Sequence, residues 1–433
     1  MVVYTVKRGD SLYQIARRFG KDVDALARDN GLARPEALSV GETLVIAEPK
    51  SVYTVREGDT LYAIAQRFGV SVGDLFRSNP FLGGKHEIRA GDVLTVVPEP
   101  QKSGREIAVN TYVYPSVDRD LLRRMLPYLT YLTVLGGGVE SDGTLIEPRG
   151  DEEIVELARE YGVAPILQIA GADENGRMSG ALAEGVLLDE RAASTLAAEI
   201  ENLFSQKRYR GVQMDFQGLS SAGAEAYPVW LSSLRRRLSP MGRSVFASLT
   251  PRDEDGVSDW YGGVQNDSQL GASADAVDLS AYGWGYAKSE PMAVSPMPRV
   301  RQAIEKVAGE IASDQILLGL SQYGYDWTLP YVAGEGRARA LDYAQAIAEA
   351  RRRRAAIGYD EKAEAPYMRW FERGEGRTRE HMAYFEDARS IAARLALVEE
   401  YGLGGVSIWN GMRYFPLLWQ LLAATYPIRK IWE

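Results

Sequence analysis

The 433-residue chain contains no cysteine and only two histidines, His86 and His381. Without cysteine there can be no disulfide framework, no thiolate zinc site and no thiol nucleophile. Because the two histidines lie far apart in the sequence, neither a multi-histidine metal site nor a Ser-His-Asp triad is expected. Any chemistry must therefore rest on carboxylates, tyrosines and the substrate itself, and we expect neither a metal nor a cofactor.

The chain also lacks an excess of positive charge and any long apolar run. Its formal net charge is −9, from 50 basic and 59 acidic residues, which argues against a nucleic-acid partner held by bulk electrostatics. No apolar run approaches the roughly 18 residues of a membrane-spanning helix. The first residues have neither the apolar core nor the cleavage site of a secretory signal. We therefore expect no classical signal peptide, no nucleic-acid partner and no membrane partner, while the oligomeric state stays open.

The front of the chain contains an internal repeat. Residues 4–13 read YTVKRGDSLY, and residues 53–62 read YTVREGDTLY. Each copy begins with a short alternating strand and a Gly-Asp turn, followed by two short helical stripes and a closing strand. This pattern predicts two small β-α-α-β modules, at residues 1–48 and 51–98, joined to the rest of the chain by a linker at 99–105.

The remaining part, residues 106–433, alternates short β-rich runs with amphipathic helices. Eight such units predict an α/β fold, a (β/α)8 barrel, whose active site lies at the carboxyl ends of the strands. A small α+β insertion is predicted at about 325–385, between the seventh and eighth strands. The predicted strands cover 107–114, 131–135, 164–170, 211–216, 244–249, 276–282, 315–320 and 405–409.

The fourth predicted strand has an unusual polar face. Strand alternation places Gln213, Asp215 and Gln217 on one side. Burying three polar groups destabilises a protein unless they are paired. We therefore interpret this face as functional and expect it to line the interior of the barrel near its active end.

The two repeats resemble the LysM domain, on the pattern Y-T-V-x-x-G-D-[ST]-L-Y-x-I-A-x-x-F-G. The resemblance implies binding of N-acetylglucosamine-containing glycans, such as peptidoglycan and chitin, between the first strand–helix loop and the loop after the second helix. For Gly9, Asp10 and Leu12 taken singly, a structural role in the turn or the small core is an equal alternative. The candidate glycan-binding residues are Asp10, Ser11, Leu12, Asn30, Asp59, Thr60, Leu61 and Asn79.

The fourth-strand segment resembles the D-x-x-D-x-D-x-E signature of glycoside hydrolase family 18. The order of two LysM-like repeats and a barrel is similar to the branch of bacterial spore-cortex-lytic N-acetylglucosaminidases, which act in spore germination. Segments 281–286 (AYGWGY), 323–331 (YGYDWTLPY) and 405–409 (GVSIW) agree with that branch. The resemblance implies a substrate-assisted, retaining mechanism and a location at the spore coat, the cortex or the cell wall.

Carried over residue by residue, the resemblance assigns four positions of the reaction site. Asp215 is the residue that orients the substrate's acetamido group, and Tyr282 is the residue that hydrogen-bonds the acetamido oxygen. Gln217 occupies the position of the acid, where the family has glutamate. Gln213 replaces the aspartate of the signature, although this branch often has an amide there.

Aromatic residues at the predicted strand ends are candidates for sugar stacking. The resemblance makes Trp409 the floor of the sugar pocket, and Trp284 follows the sixth strand. Tyr323 and Trp327 follow the seventh strand. For all four residues, an ordinary role in the apolar core is the alternative.

The amide at Gln217 decides the expected activity. It has the shape of a carboxylic acid but cannot release a proton, and loss of a general acid typically lowers the rate by about 10²–10⁴-fold. Two explanations stay open: a natural non-catalytic, lectin-like protein, or a hydrolase in which the glutamate has been replaced by its isosteric amide. The sequence therefore predicts glycan binding with strongly impaired hydrolysis.

Overall fold

The computed structural model describes residues 1–47, 51–97, 103–252, 263–335, 337–374 and 377–431. The predicted linker at 99–105 lies outside these residues except for its last three positions. Within the described ranges, no helix has both the length and the apolarity needed to cross a bilayer.

The first 97 residues contain two copies of the predicted β-α-α-β module. In each copy a two-stranded antiparallel sheet packs against two short helices. Ser11 and Thr60 cap the first helices, accepting hydrogen bonds from the backbone N–H groups of Gln14 and Ala63. The elements are β1 (Val2–Thr5), α1 (Leu12–Arg18), α2 (Val23–Asp29) and β2 (Thr43–Ile46), then β3 (Ser51–Thr54), α3 (Leu61–Phe68), α4 (Val72–Ser78) and β4 (Val93–Val97).

Eight parallel strands form a closed barrel, as predicted. Each strand pairs with the next one, and the first also pairs with the last. A short strand, β7 (Leu145–Ile146), extends the edge of the second barrel strand. The barrel strands are β5 (Ala108–Val113), β6 (Tyr131–Val139), β8 (Ala164–Ala170), β9 (Gly211–Asp215), β10 (Ser244–Leu249), β11 (Ala276–Leu279), β12 (Ile316–Ser321) and β18 (Gly405–Trp409).

Helices surround the barrel, and the apolar residues between strands and helices form one large core. Short 3₁₀ turns occur in the barrel part at Leu126–Tyr128, Ser239–Met241 and Ser313–Gln315, and one lies in the second module at Pro80–Leu82. The helices of this part are α5 (Arg119–Met125), α6 (Glu152–Glu160), α7 (Gly180–Leu188), α8 (Glu190–Gln206), α9 (Ser221–Leu238), α10 (Asp267–Ser273), α11 (Met297–Ala308), α13 (Ala388–Glu400) and α14 (Pro416–Thr425).

The sixth barrel strand ends earlier than predicted. It stops at Leu279 instead of continuing to Tyr282. The backbone N–H groups of Ala281 and Tyr282 donate to carbonyls only two residues earlier, at 2.7 and 2.8 Å. These tight turns lift Tyr282 out of the strand.

The insertion between the seventh and eighth barrel strands folds as a separate small layer. Its five-stranded antiparallel sheet begins at Tyr323, two residues before the predicted start. The sheet strands are β13 (Tyr323–Leu329), β14 (Arg339–Asp342), β15 (Ile357–Asp360), β16 (Ala365–Gly374) and β17 (Arg377–Tyr384), and the helix is α12 (Tyr343–Arg353).

The first module is docked against both the insertion and the barrel. The backbone N–H of Ile357 donates to the Val40 carbonyl at 2.9 Å. Gly41 (φ +85°) lies so close that a Cβ there would come within 2.0 Å of the Ile357 carbonyl oxygen. Glu42 and Arg351 form an ion pair at 2.8 Å across the same interface.

The second module is docked against the outside of the barrel. Arg77 donates to the Pro127 carbonyl at 2.9 Å. The Tyr161 hydroxyl donates to the Gly84 carbonyl at 2.5 Å. The modules are therefore fixed to the barrel by backbone and side-chain contacts.

Candidate functional site

The inward face of β9 forms the centre of the site, and its deepest residue is Gln213. This side chain is fully buried. Its Nε2 donates to the Tyr112 hydroxyl at 2.6 Å and to Ser248 Oγ at 2.9 Å. Its Oε1 accepts from the Thr133 hydroxyl at 3.3 Å. Since every polar group is used inside the barrel, Gln213 can position its neighbours but offers no free group to a ligand.

Asp215 stands at the carboxyl end of β9, and two amides hold its carboxylate. Its Oδ1 accepts from Gln217 Nε2 at 2.8 Å, and its Oδ2 accepts from Gln168 Nε2 at 2.7 Å. Burial raises the pKa of Asp215, while hydrogen bonds from Gln217, Gln168 and Ser248 act in the opposite direction.

Gln217 lies just beyond the strand and is 8% exposed. Besides its bond to Asp215, its Oε1 accepts from the Thr250 hydroxyl at 3.5 Å. The amide thus occupies the space of a carboxylic acid beside Asp215. It can donate a hydrogen bond to Asp215 but has no acidic proton.

Tyr282 lies in the loop after β11, packed against β12. A Cβ on Gly319 would come within 2.7 Å of Cε1 of the Tyr282 ring, so glycine at that position makes room for the tyrosine. Burial, together with the nearby charge of Asp278, raises the pKa of Tyr282 well above its ordinary value. The hydroxyl therefore stays protonated at neutral pH and carries a proton that it can donate in a hydrogen bond.

Three of the predicted aromatic residues are partly exposed near strand ends. Trp409 ends β18, and its ring centroid lies 5.2 Å from that of Tyr112. Trp284 lies two residues beyond Tyr282, and Tyr323 begins the insertion sheet two residues after the end of β12. Each residue is half-buried and none is fully enclosed, which a stacking platform requires.

Trp327 has a different environment. It is 2% exposed and packs with Met382 and Tyr384 of the insertion and with Ala293 of the loop after β11. Its indole N–H donates to the Ser289 carbonyl at 2.7 Å. The structure places this tryptophan in a core, where no ring face is open for a sugar.

The sequence interpretation missed Asp278, a buried carboxylate in β11. It is 2% exposed and accepts a hydrogen bond from the Tyr112 hydroxyl at 2.5 Å. Burial raises its pKa to about 6, and the charge of Asp215 acts in the same direction. The sequence does contain a signal for Asp278, because a lone aspartate in an apolar barrel strand is as unusual as the polar face of β9.

In the LysM-like modules, the predicted residues have clear structural partners. Asp10 accepts from the Tyr4 hydroxyl at 2.7 Å and from the Lys7 N–H at 2.8 Å. Asp59 repeats this arrangement with Tyr53 and Arg56. Both aspartates therefore hold the strand–helix turn in shape.

Four further module residues lie inside the modules. Leu12 and Leu61 are buried in the two apolar cores. The Asn30 amide donates to the Leu26 and Val45 carbonyls and accepts from the Val45 N–H. Asn79 makes the equivalent bonds in the second module. These two amides tie the second helix to the closing strand, whereas the capping residues Ser11 and Thr60 are exposed.

Comparison with known families agrees with both parts of the chain. The model for glycosyl hydrolases family 18 matches residues 112–412, and the LysM domain model matches residues 4–47 and 53–97.

Several relatives match this chain over nearly its whole length and nearly the whole of their own. The cortical fragment-lytic enzymes of Bacillus anthracis and Bacillus subtilis (strain 168) are 32% and 34% identical to this chain, with 99% of each chain covered. The crystal structure of the Bacillus cereus spore cortex-lytic enzyme SleL is 31% identical with a TM-score of 0.82, covering 100% of this chain and 99% of that chain. The chain therefore belongs to glycosyl hydrolases family 18, with two LysM domains preceding the barrel.

Proposed function

We propose that this protein binds peptidoglycan-type glycans containing N-acetylglucosamine, and that Gln217 strongly impairs their hydrolysis. The observation behind the proposal is the geometry at the end of β9, where Gln217 lies 2.8 Å from a well-held Asp215. The site has the parts needed to recognise an acetamido group, and it has an amide at the position of the proton donor.

Recognition would use Asp215 and Tyr282 together. In a substrate-assisted reaction the acetamido oxygen attacks the anomeric carbon. The Asp215 carboxylate would accept the acetamido N–H, and the Tyr282 hydroxyl would donate to its oxygen. Trp409 would support the apolar face of the same sugar ring.

Bond cleavage would need a proton on the leaving oxygen, and Gln217 cannot supply it. The expected loss is about 10²–10⁴-fold in rate relative to a glutamate at this position. The named activities of the relatives support a spore-cortex or cell-wall glycan as the ligand and a spore or cell-wall location for the protein.

A natural lectin-like protein is the second candidate. It is favoured by the hydrogen bonding of Asp215, since amides from Gln168 and Gln217 engage both carboxylate oxygens and no acid at position 217 is needed to hold Asp215. Such a site is complete for binding.

Calorimetric titration with an N-acetylglucosamine tetrasaccharide tests the proposal. We expect binding, and we expect the de-N-acetylated tetrasaccharide and the Asp215→Asn variant each to lose about tenfold or more in affinity, as loss of a charge-assisted hydrogen bond predicts. Equal affinity for both sugars would show that the site does not recognise the acetamido group. Hydrolysis after Gln217→Glu then separates the impaired hydrolase from the lectin.

A further inference from the structure

A cleft of about 920 Å³ lies where the first module, the barrel and the insertion meet. It is lined by the loop after α2, which includes Gly31 and Arg34, and by α12. Gln322 and the segment from Arg413 to Pro416 also line it. Clefts of this size at domain junctions are typical places for ligand binding.

The cleft adjoins the carboxyl ends of the last two barrel strands. Gln322 directly precedes Tyr323, and its Nε2 donates to the carbonyl of Asn410, the residue after Trp409. A polymer with one sugar on Trp409 could therefore continue into the cleft.

Positive charge predominates in the lining of the cleft. The lining contains five arginines and two carboxylates, in a chain with a net charge of −9. The carboxylates, Glu42 and Asp342, are each paired with an arginine of the lining, and Arg352 is paired with Glu349, which lies outside the lining. The arginines are Arg34, Arg124, Arg351, Arg352 and Arg413.

Several polar groups of the lining remain available. The exposed side chain of Arg34 makes no hydrogen bond or ion pair with any residue that the structure describes. Among the residues that the structure describes, Gln322 Oε1 and Arg351 Nε are buried without a hydrogen-bond partner. Buried polar atoms of this kind are rare and mark places where water, an ion or a ligand is expected.

Aromatic rings complete the cleft. Tyr343 and Phe415 pack with ring centroids 4.7 Å apart. The guanidinium of Arg124 lies 3.9 Å from the ring centroid of Tyr414. Phe415 is itself buried, so the half-buried Tyr343 and Tyr414 supply the aromatic surface of the cleft. This surface lies beside guanidinium groups, whose planar donors match carboxylates.

We propose that this cleft binds the carboxylate-bearing substituents of a peptidoglycan-type chain, while a neighbouring sugar occupies the barrel site. The inference rests on the proposed glycan-binding function and adds a preference for acidic over neutral chains. The module, the barrel and the insertion would form this site jointly.

The test compares two probes by calorimetry at low salt. One is a muramyl-containing tetrasaccharide with free lactyl carboxylates, and the other is the same tetrasaccharide with these groups converted to methylamides. The test variant is Arg34→Gln/Arg352→Gln. The matched control is Arg17→Gln/Arg369→Gln, which removes the same charge from the same module and the same insertion outside the cleft lining.

We expect the protein to prefer the carboxylated probe, and the test variant to lose about three- to tenfold in affinity for it per arginine removed. The affinity for the methylamide should stay unchanged, and the control should keep the preference. The inference is overturned if the test variant keeps the preference, or if it loses affinity for both probes equally. Failure of both probes to bind the unmodified protein would instead refute the proposed function, and this inference with it.

Discussion

Replacing the buried carboxylate of Asp278 by an amide should stabilise the protein at neutral pH. Burial and the charge of Asp215 raise the folded-state pKa from the ordinary value of 3.8 to about 6. A difference of about two pKa units corresponds to roughly 3 kcal/mol. The Tyr112 hydroxyl can still donate to the amide oxygen of asparagine, so Asp278→Asn should raise the free energy of unfolding by up to about 3 kcal/mol.

The size of this stabilisation depends on pH. Because the folded-state pKa is the higher one, the folded protein binds an additional proton between about pH 4 and pH 6. The cost of the charged carboxylate is therefore fully present above pH 6 and disappears below about pH 4. The gain from Asp278→Asn should follow the same course.

Thermal and denaturant unfolding of both proteins between pH 4 and pH 8 measures this difference. Asp151→Asn is a suitable contrast, since that buried carboxylate is paired with Lys207 at 2.7 Å. It should destabilise the protein at pH 7 by about 1–3 kcal/mol. A gain from Asp278→Asn that is independent of pH, or a loss at pH 7, would refute the reasoning.

Two further substitutions test the packing around the site and the docking of the first module. Gly319→Ala would bring a Cβ within 2.6 Å of the Leu279 carbonyl oxygen and within 2.7 Å of the Tyr282 ring. It should therefore displace the ring and the end of β11, weaken binding of an N-acetylglucosamine tetrasaccharide by about tenfold, and cost about 1–3 kcal/mol in stability. Unchanged affinity in calorimetry would contradict the role given to that ring. Glu42→Ala should leave Arg351 unpaired at the interface and destabilise the protein by about 3–5 kcal/mol. Limited proteolysis should then release the first module faster than in the exposed control Glu36→Ala, and equal rates would show that the ion pair does not hold the interface.

The barrel could be predicted because its strands are short apolar runs between amphipathic helices. Three strands, at 164–170, 244–249 and 405–409, begin and end where the sequence pattern places them. The polar face of β9 was visible for a related reason, since Gln213 and Asp215 interrupt an otherwise apolar strand. The functional roles of these residues stay predictions.

Other features depend on contacts that no local pattern reveals. The ion pair between Glu42 and Arg351 joins residues 309 positions apart, so the docking of the first module and the cleft beside it could not be predicted. From the sequence, Trp327 is a candidate for sugar stacking. In the structure it is buried in a second apolar cluster, against the insertion sheet. For Asn30 and Asn79, the residue type alone does not tell whether the side chain contacts a ligand or bonds the backbone of its own module.

The hydrolysis rate of Gln217→Glu tests the central claim most directly. A glutamate oxygen about 2.8 Å from Asp215 Oδ1, where the amide nitrogen lies now, would share a proton with that carboxylate and raise one pKa of the pair. On an N-acetylglucosamine-containing cortex fragment, we predict a rate about 10²–10⁴-fold above that of the protein with Gln217, and loss of this gain when Asp215→Asn is added. A Gln217→Glu protein that binds the same fragment but releases no product would contradict the claim that the site lacks only its proton donor.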